Sequence, residues 1–233
     1  MKRFTVTLAA ILLATALAAC SSPASEEGED SGPKSVIYVG GETIGDQLTV
    51  ARLKELGFEV SEMTDRELSD EKAKNYSLVY INSTISSPGN IGTKLYNNAV
   101  PVIYAAPKVL SYNDMAGTGE NTDYGKFIGR TVNVTNGEHP IAAGLSGNVD
   151  VYKNDGSIQF IVPGGDATII ATAADDEKKA LITVYEKGAK NMIGNEVPAR
   201  RVFFYLAPED LIYHTDDGWK LFDAAVKWAV GDL

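Results

Sequence analysis

The chain has 233 residues, with 21 basic against 31 acidic side chains and a net charge of −10. Such a balance is a poor match for nucleic acid or anionic lipid surfaces, whose phosphates demand clustered Lys and Arg. A lone cysteine excludes an intramolecular disulfide framework, and 44% hydrophobic residues are enough for a domain held by its own core.

Lys2 and Arg3 precede an apolar stretch from Phe4 to Leu17, which closes in Leu17-Ala18-Ala19-Cys20. A charged segment, an apolar segment and a small-residue cleavage site read as an export signal. With Cys directly after Leu-Ala-Ala, the segment resembles a bacterial lipoprotein signal with its lipobox. The resemblance implies cleavage before Cys20, lipid on its thiol, and an exported protein held to the outer face of a cell-envelope membrane. Cleavage would remove Lys2 and Arg3 but no acid, deepening the net charge to −12. Residues 20–34 are the expected lipidated Cys and tether: Ser21 to Lys34 reads SSPASEEGEDSGPK, without apolar periodicity. Its 14 residues could reach roughly 45–50 Å when extended.

Residues 35–233 form the predicted folded domain. Val36 to Val39 is a buried-strand run ending in Gly40-Gly41, and Asp46 to Leu56 reads as a helix with Gly57 at its cap. Phe58-Glu59-Val60 begins a second strand, and Ser69-Asp70-Glu71 opens a short helix through Ala73. Leu78 to Ile81 is a third strand and Val100 to Ala105 a fourth, with a short helix expected around Ile91 to Asn98. The alternation predicts an α/β fold, a mainly parallel sheet flanked by helices. Antiparallel additions are expected in the second half. Thr131 to Val134 and Asp150 to Tyr152 read as edge strands, and Ala167 to Ala173 with Ala180 to Tyr185 as a hairpin. Arg201 to Leu206 is a further strand, before a closing helix from about Asp216 to Val230 capped by Thr215.

Ligands of open α/β sheets bind beyond the carboxyl ends of the strands. Those ends offer Gly41, then Asn82, Ser83 and Thr84, then Ala106, Pro107 and Lys108. The glycines let a ligand approach backbone, and the hydroxyls and amide supply hydrogen bonds; the same residue types also serve turns and caps. Gly40 to Gly45 has the glycine spacing of a P-loop, but Asp46-Gln47 stands where Lys-Ser/Thr is required, so no nucleotide cofactor is expected. His139, in Gly137-Glu138-His139-Pro140, is a candidate general base or a cap of the turn at Pro140; His214 fits the start of the last helix. Two histidines without an HExxH spacing offer no zinc site, and no metal is expected.

Several segments in order resemble the class I glutamine amidotransferase-like fold: strand-Gly-Gly-helix, the strand ending Asn82-Ser83-Thr84, Val100-Pro101-Val102-Ile103 entering a turn, Glu138-His139-Pro140-Ile141-Ala142-Ala143-Gly144-Leu145, and Arg200-Arg201-Val202-Phe203-Phe204 with Lys227-Trp228-Ala229. Within that group the chain is most similar to ThuA-like (trehalose-utilisation-type) domains. Catalytic members of the group carry a Cys on a strained turn after the fourth strand. The matching position is Ala106, whose methyl group cannot attack a carbonyl, so that activity does not carry over. The expectation is a lipid-anchored, non-catalytic envelope module binding a small polar ligand, carbohydrate on the analogy of fold, or an envelope partner. The alternatives are a sugar-processing hydrolase or isomerase using His139 with Ser83 or Glu138, and a purely structural interaction domain. A pocket joining Ser83, Pro107 and His139 would favour ligand or substrate binding.

Overall fold

Val36 and Tyr38 pack on one side of their strand while Ile37 and Val39 pack on the other, and all four are buried. A strand apolar on both faces must be covered twice. The computed structural model, which describes Met1 and residues 34–233, covers it so. The signal, Cys20 and the tether up to residue 33 lie outside the described residues.

Five strands form a parallel centre: β1 (Ser35–Val39), β2 (Glu59–Met63), β3 (Leu78–Asn82), β4 (Val102–Ala105) and β11 (Arg201–Phe204), in the order β2-β1-β3-β4-β11. Helices α1 (Ile44–Glu55) and α5 (Asp216–Val230) cover one face, with Leu53 and Phe222 in the same core as Tyr80 and Ile103. The short helices α2 (Asp70–Ala73), α3 (Pro88–Ile91) and α4 (Pro107–Tyr112) cover the other, with Ala73, Ile91, Val109 and Leu110 against Val79 and Tyr104. Helix starts follow their capping chemistry. Thr43 and Asp46 form a reciprocal capping box on α1, and the Thr215 hydroxyl accepts from Gly218 N at 3.1 Å to start α5.

Beyond β11 the sheet turns antiparallel, through β10 (Ala180–Tyr185), β9 (Thr168–Ala173), β6 (Thr131–Val134) and β7 (Gly147–Asp150). The β9–β10 hairpin lies where the acidic turn at Asp175-Asp176-Glu177 places it. A second antiparallel pair, β5 (Tyr124–Gly129) with β8 (Gly156–Ile161), branches from β10.

Three sequence expectations need correction. The helix expected at Ile91 to Asn98 sits earlier, at Pro88–Ile91, because Gly92 at φ +47° ends it. Thr131–Val134 is not an edge strand: β7 pairs with it on one side and β9 on the other. The β5–β8 pair is absent from the expected strands altogether.

Candidate functional site

β3 ends at Asn82 and β4 at Ala105, and the chain leaves both strands into proline-started helices, α3 and α4. The antiparallel β5–β8 pair borders this edge. Between them lies a cleft of about 330 Å³, bounded by Ser83, Ala106, Pro107 and Lys108 from the strand ends and by Tyr124, Lys126 and Gln159 from the β5–β8 pair. Ile85 and Pro88 add apolar wall, and Glu120 with Asn121 stands at the turn leading into β5.

Ala106 is the residue before α4 and is buried, with φ −129° and ψ 88°. Its backbone is outside the left-handed region, so the turn carries neither a nucleophile nor positive-φ strain. On the neighbouring strand β11, the first residue past the end is Tyr205, buried, with its hydroxyl 2.8 Å from His214 Nε2. The end of β4 therefore presents a methyl group, not a nucleophile.

Gln159 lies opposite Lys126 in the β5–β8 register. It is only 5% exposed, and its Nε2 donates to the carbonyl of Ala105 at 2.8 Å and to that of Leu206. One amide thus ties the ends of β4 and β11 together beneath the cleft. Charge sits at the mouth: Lys126 pairs with Glu209 at 3.1 Å, and Lys108 Nζ stands 6.0 Å from the Tyr124 ring centroid.

A second polar cluster occupies the ends of β1 and β3. Asp46, 1% exposed, takes five donors: Tyr38 OH at 2.5 Å, Asn82 Nδ2 at 2.9 Å and Thr84 Oγ1 at 2.5 Å on Oδ1, and Thr43 N at 2.9 Å and Thr43 Oγ1 at 2.6 Å on Oδ2. Burial alone would raise its pKa. The hydrogen bonds from Thr43, Thr84 and Tyr38 outweigh burial and hold the carboxyl below its ordinary value. Gly41 N donates to the Thr84 hydroxyl at 2.9 Å. A Cβ at Gly40 would lie 2.7 Å from Asp46 Oδ1, so the close approach of this turn requires glycine.

The structure therefore divides the residues singled out in the sequence. Ser83 and Pro107 meet in the cleft. Asn82 and Thr84 turn instead onto Asp46, and Gly41 N is spent on the Thr84 hydroxyl. His139 is elsewhere. β6 runs antiparallel to β11, so the loop after it travels toward the amino-terminal ends of the parallel strands. There His139 Nδ1 accepts from Ile141 N at 3.2 Å, capping the turn at Pro140, and its ring lies 5.5 Å from that of Trp228. Trp228 in turn receives a hydrogen bond from Arg200, the residue before β11. Burial lowers the His139 pKa, so the ring stays neutral more readily than a free imidazole. Cys20 lies outside the described residues. Among the described residues no group of three or more His, Cys, Asp or Glu is arranged to hold a metal ion.

Two participants escape sequence reasoning, Gln159 and Asp46. Gln159 leaves one signal: an amide inside the otherwise apolar run Ile158-Gln159-Phe160-Ile161. Asp46 leaves another, a carboxylate three residues after Thr43, the spacing of a helix cap.

No family model and no curated protein matches this sequence. Solved structures do match in shape. A Thermoplasma acidophilum protein described as one subunit of a GMP synthase aligns with a TM-score of 0.58 at 15% identity, over 87% of this chain and 99% of its own. PurLQS from Thermotoga maritima aligns with a TM-score of 0.51 at 16% identity, over 84% of this chain and 98% of the matched one. At such identities the likeness is one of fold, and the chain has an amidotransferase-like α/β fold.

Proposed function

We propose that this is a lipid-anchored module of the cell envelope that binds a small polar ligand and performs no nucleophilic catalysis. The observation that carries the binding reading is the cleft beyond β3 and β4, where ligands of open α/β sheets bind. Its polar groups converge from four separate segments, while its walls at Ile85, Pro88, Pro107 and Tyr124 are apolar, a mixture suited to orienting a small molecule. The non-catalytic part is supported by Ala106 at the end of β4. It is also supported by the separation of His139 from Ser83, one of the two pairs on which a hydrolase would rely. Anchoring is supported by the Leu17-Ala18-Ala19-Cys20 segment.

Ligand-observed NMR of the full chain against a library of sugars, polyols and amides tests the reading, with Ser83→Leu as the filled-cleft variant. Hits that lose at least about tenfold in affinity in Ser83→Leu, with an unchanged unfolding midpoint, support it. A library without hits, or hits indifferent to Ser83→Leu, would overturn it.

A further inference from the structure

Gln159 is the one buried amide facing the cleft, and its orientation is determined. Both hydrogens of Nε2 are used, on the carbonyls of Ala105 and Leu206. Turning the amide over would set Oε1 against those two carbonyl oxygens, acceptor against acceptor, and strand three lone-pair groups together. Oε1 therefore faces away from the strand ends, and among the described residues nothing donates to it. The side chain is 5% exposed and lines the cavity, so what surface it keeps opens there.

The consequence is chemical selectivity. A fixed carbonyl oxygen that opens onto the cleft accepts and cannot donate. A ligand group resting on it must bring a hydrogen. A carboxylate there would meet a lone pair with a negative charge, and an ether or ester oxygen would leave the acceptor unpaired, which is the costly state of a buried polar group. Ser83, across the cleft, can turn its hydroxyl to donate or accept, so it tolerates either partner. Gln159 cannot adjust, because its nitrogen is held by two strands.

We infer that Gln159 sets the specificity of this cleft, and that its ligand is a neutral small molecule presenting an N–H or O–H to Gln159 Oε1. This rests on the cleft being the binding site. It goes further in naming the residue that discriminates and the ligand class it selects.

Matched probes on the unaltered full chain test it: benzyl alcohol against benzyl methyl ether, benzamide against methyl benzoate, and benzoate as the anion. Affinities come from ligand-observed NMR. Hydrogen exchange read by mass spectrometry locates the contact on the segments around residues 83–88 and 120–127. The alcohol and the amide should bind about tenfold more tightly than their donor-free partners and than benzoate. Gln159→Met, which keeps volume and removes the acceptor, should abolish the preference. If that variant does not fold, the matched pairs still decide. Equal binding of donors and non-donors in the cleft would overturn the role of Gln159 while leaving the cleft a binding site. Binding of no probe in the cleft would overturn both.

Discussion

Asn82 donates to Asp46 Oδ1 at 2.9 Å, joining the last residue of β3 to the first turn of α1 across 36 positions of sequence. The same carboxylate oxygen holds Tyr38 and Thr84. A buried charge is stable only when it is paired or fully hydrogen-bonded, and here neutral donors supply the whole compensation. Removing the charge leaves those donors facing an amide. Asp46→Asn is expected to cost about 2–4 kcal/mol in urea unfolding. A loss below about 1 kcal/mol would mean that the network does not hold the two strand ends.

His214 should make the fold sensitive to mild acid. It is 5% exposed, its Nε2 meets the Tyr205 hydroxyl at 2.8 Å, and burial pushes its pKa down to about 3. An unfolded histidine titrates near 6.5. Between those values the unfolded chain binds the proton and the folded chain refuses it, so stability is full above about pH 6.5 and falls as pH drops. From pH 7 to pH 5 the loss from this residue is about 2 kcal/mol. Unfolding midpoints of the parent protein and of His214→Gln, compared at the two pH values, isolate it: the difference between them should shrink at pH 5.

Phe222 is 1% exposed, with ring centroids of Trp219, Phe204 and Tyr80 at 5.5, 5.8 and 5.9 Å. Phe222→Ala leaves a cavity where α5 meets the sheet and should cost about 3–5 kcal/mol. Chemical denaturation checks it.

His139 caps a turn at the end of the sheet opposite the cleft. His139→Ala should leave ligand affinity at the cleft within about twofold of the parent protein, because no contact links the two places. A clear loss of binding in titrations of that variant would put the site elsewhere.

Cys20→Ser tests the anchor. Only a thiol takes up the lipid, so the variant should lose a fatty-acid label and appear in the soluble fraction. Label retained in Cys20→Ser would sink the lipoprotein reading.

The parallel half of the fold is legible because doubly covered strands must be apolar without interruption, as Val36 to Val39 and Leu78 to Ile81 are. The β5–β8 pair is not. Tyr124-Gly125-Lys126-Phe127-Ile128-Gly129 carries two glycines and a lysine among its apolar residues, and it becomes a strand only by pairing with a segment some thirty residues away. The cleft inherits that limit. Ser83 and Pro107 can be foreseen from strand ends, whereas Gln159 and Lys126 arrive from the long-range β5–β8 pair. Asn82 and Thr84 read as facing a ligand, since sequence gives the types of donors at a strand end and not the buried carboxylate that claims them. The placement of His139 depends on the direction of β6, which is fixed by its pairing with β9 and not by the residues around Pro140.

The chain enters the described domain at Ser35, the amino-terminal end of β1, and Lys34 there contacts Asp232, one residue from the carboxyl terminus. Residue 34 and the carboxyl terminus therefore lie at one pole, and β1 runs parallel to β3 and β4 toward the other, where the cleft opens. A fusion at the carboxyl terminus would therefore sit away from the mouth of the cleft and leave it unobstructed for diffusing solutes.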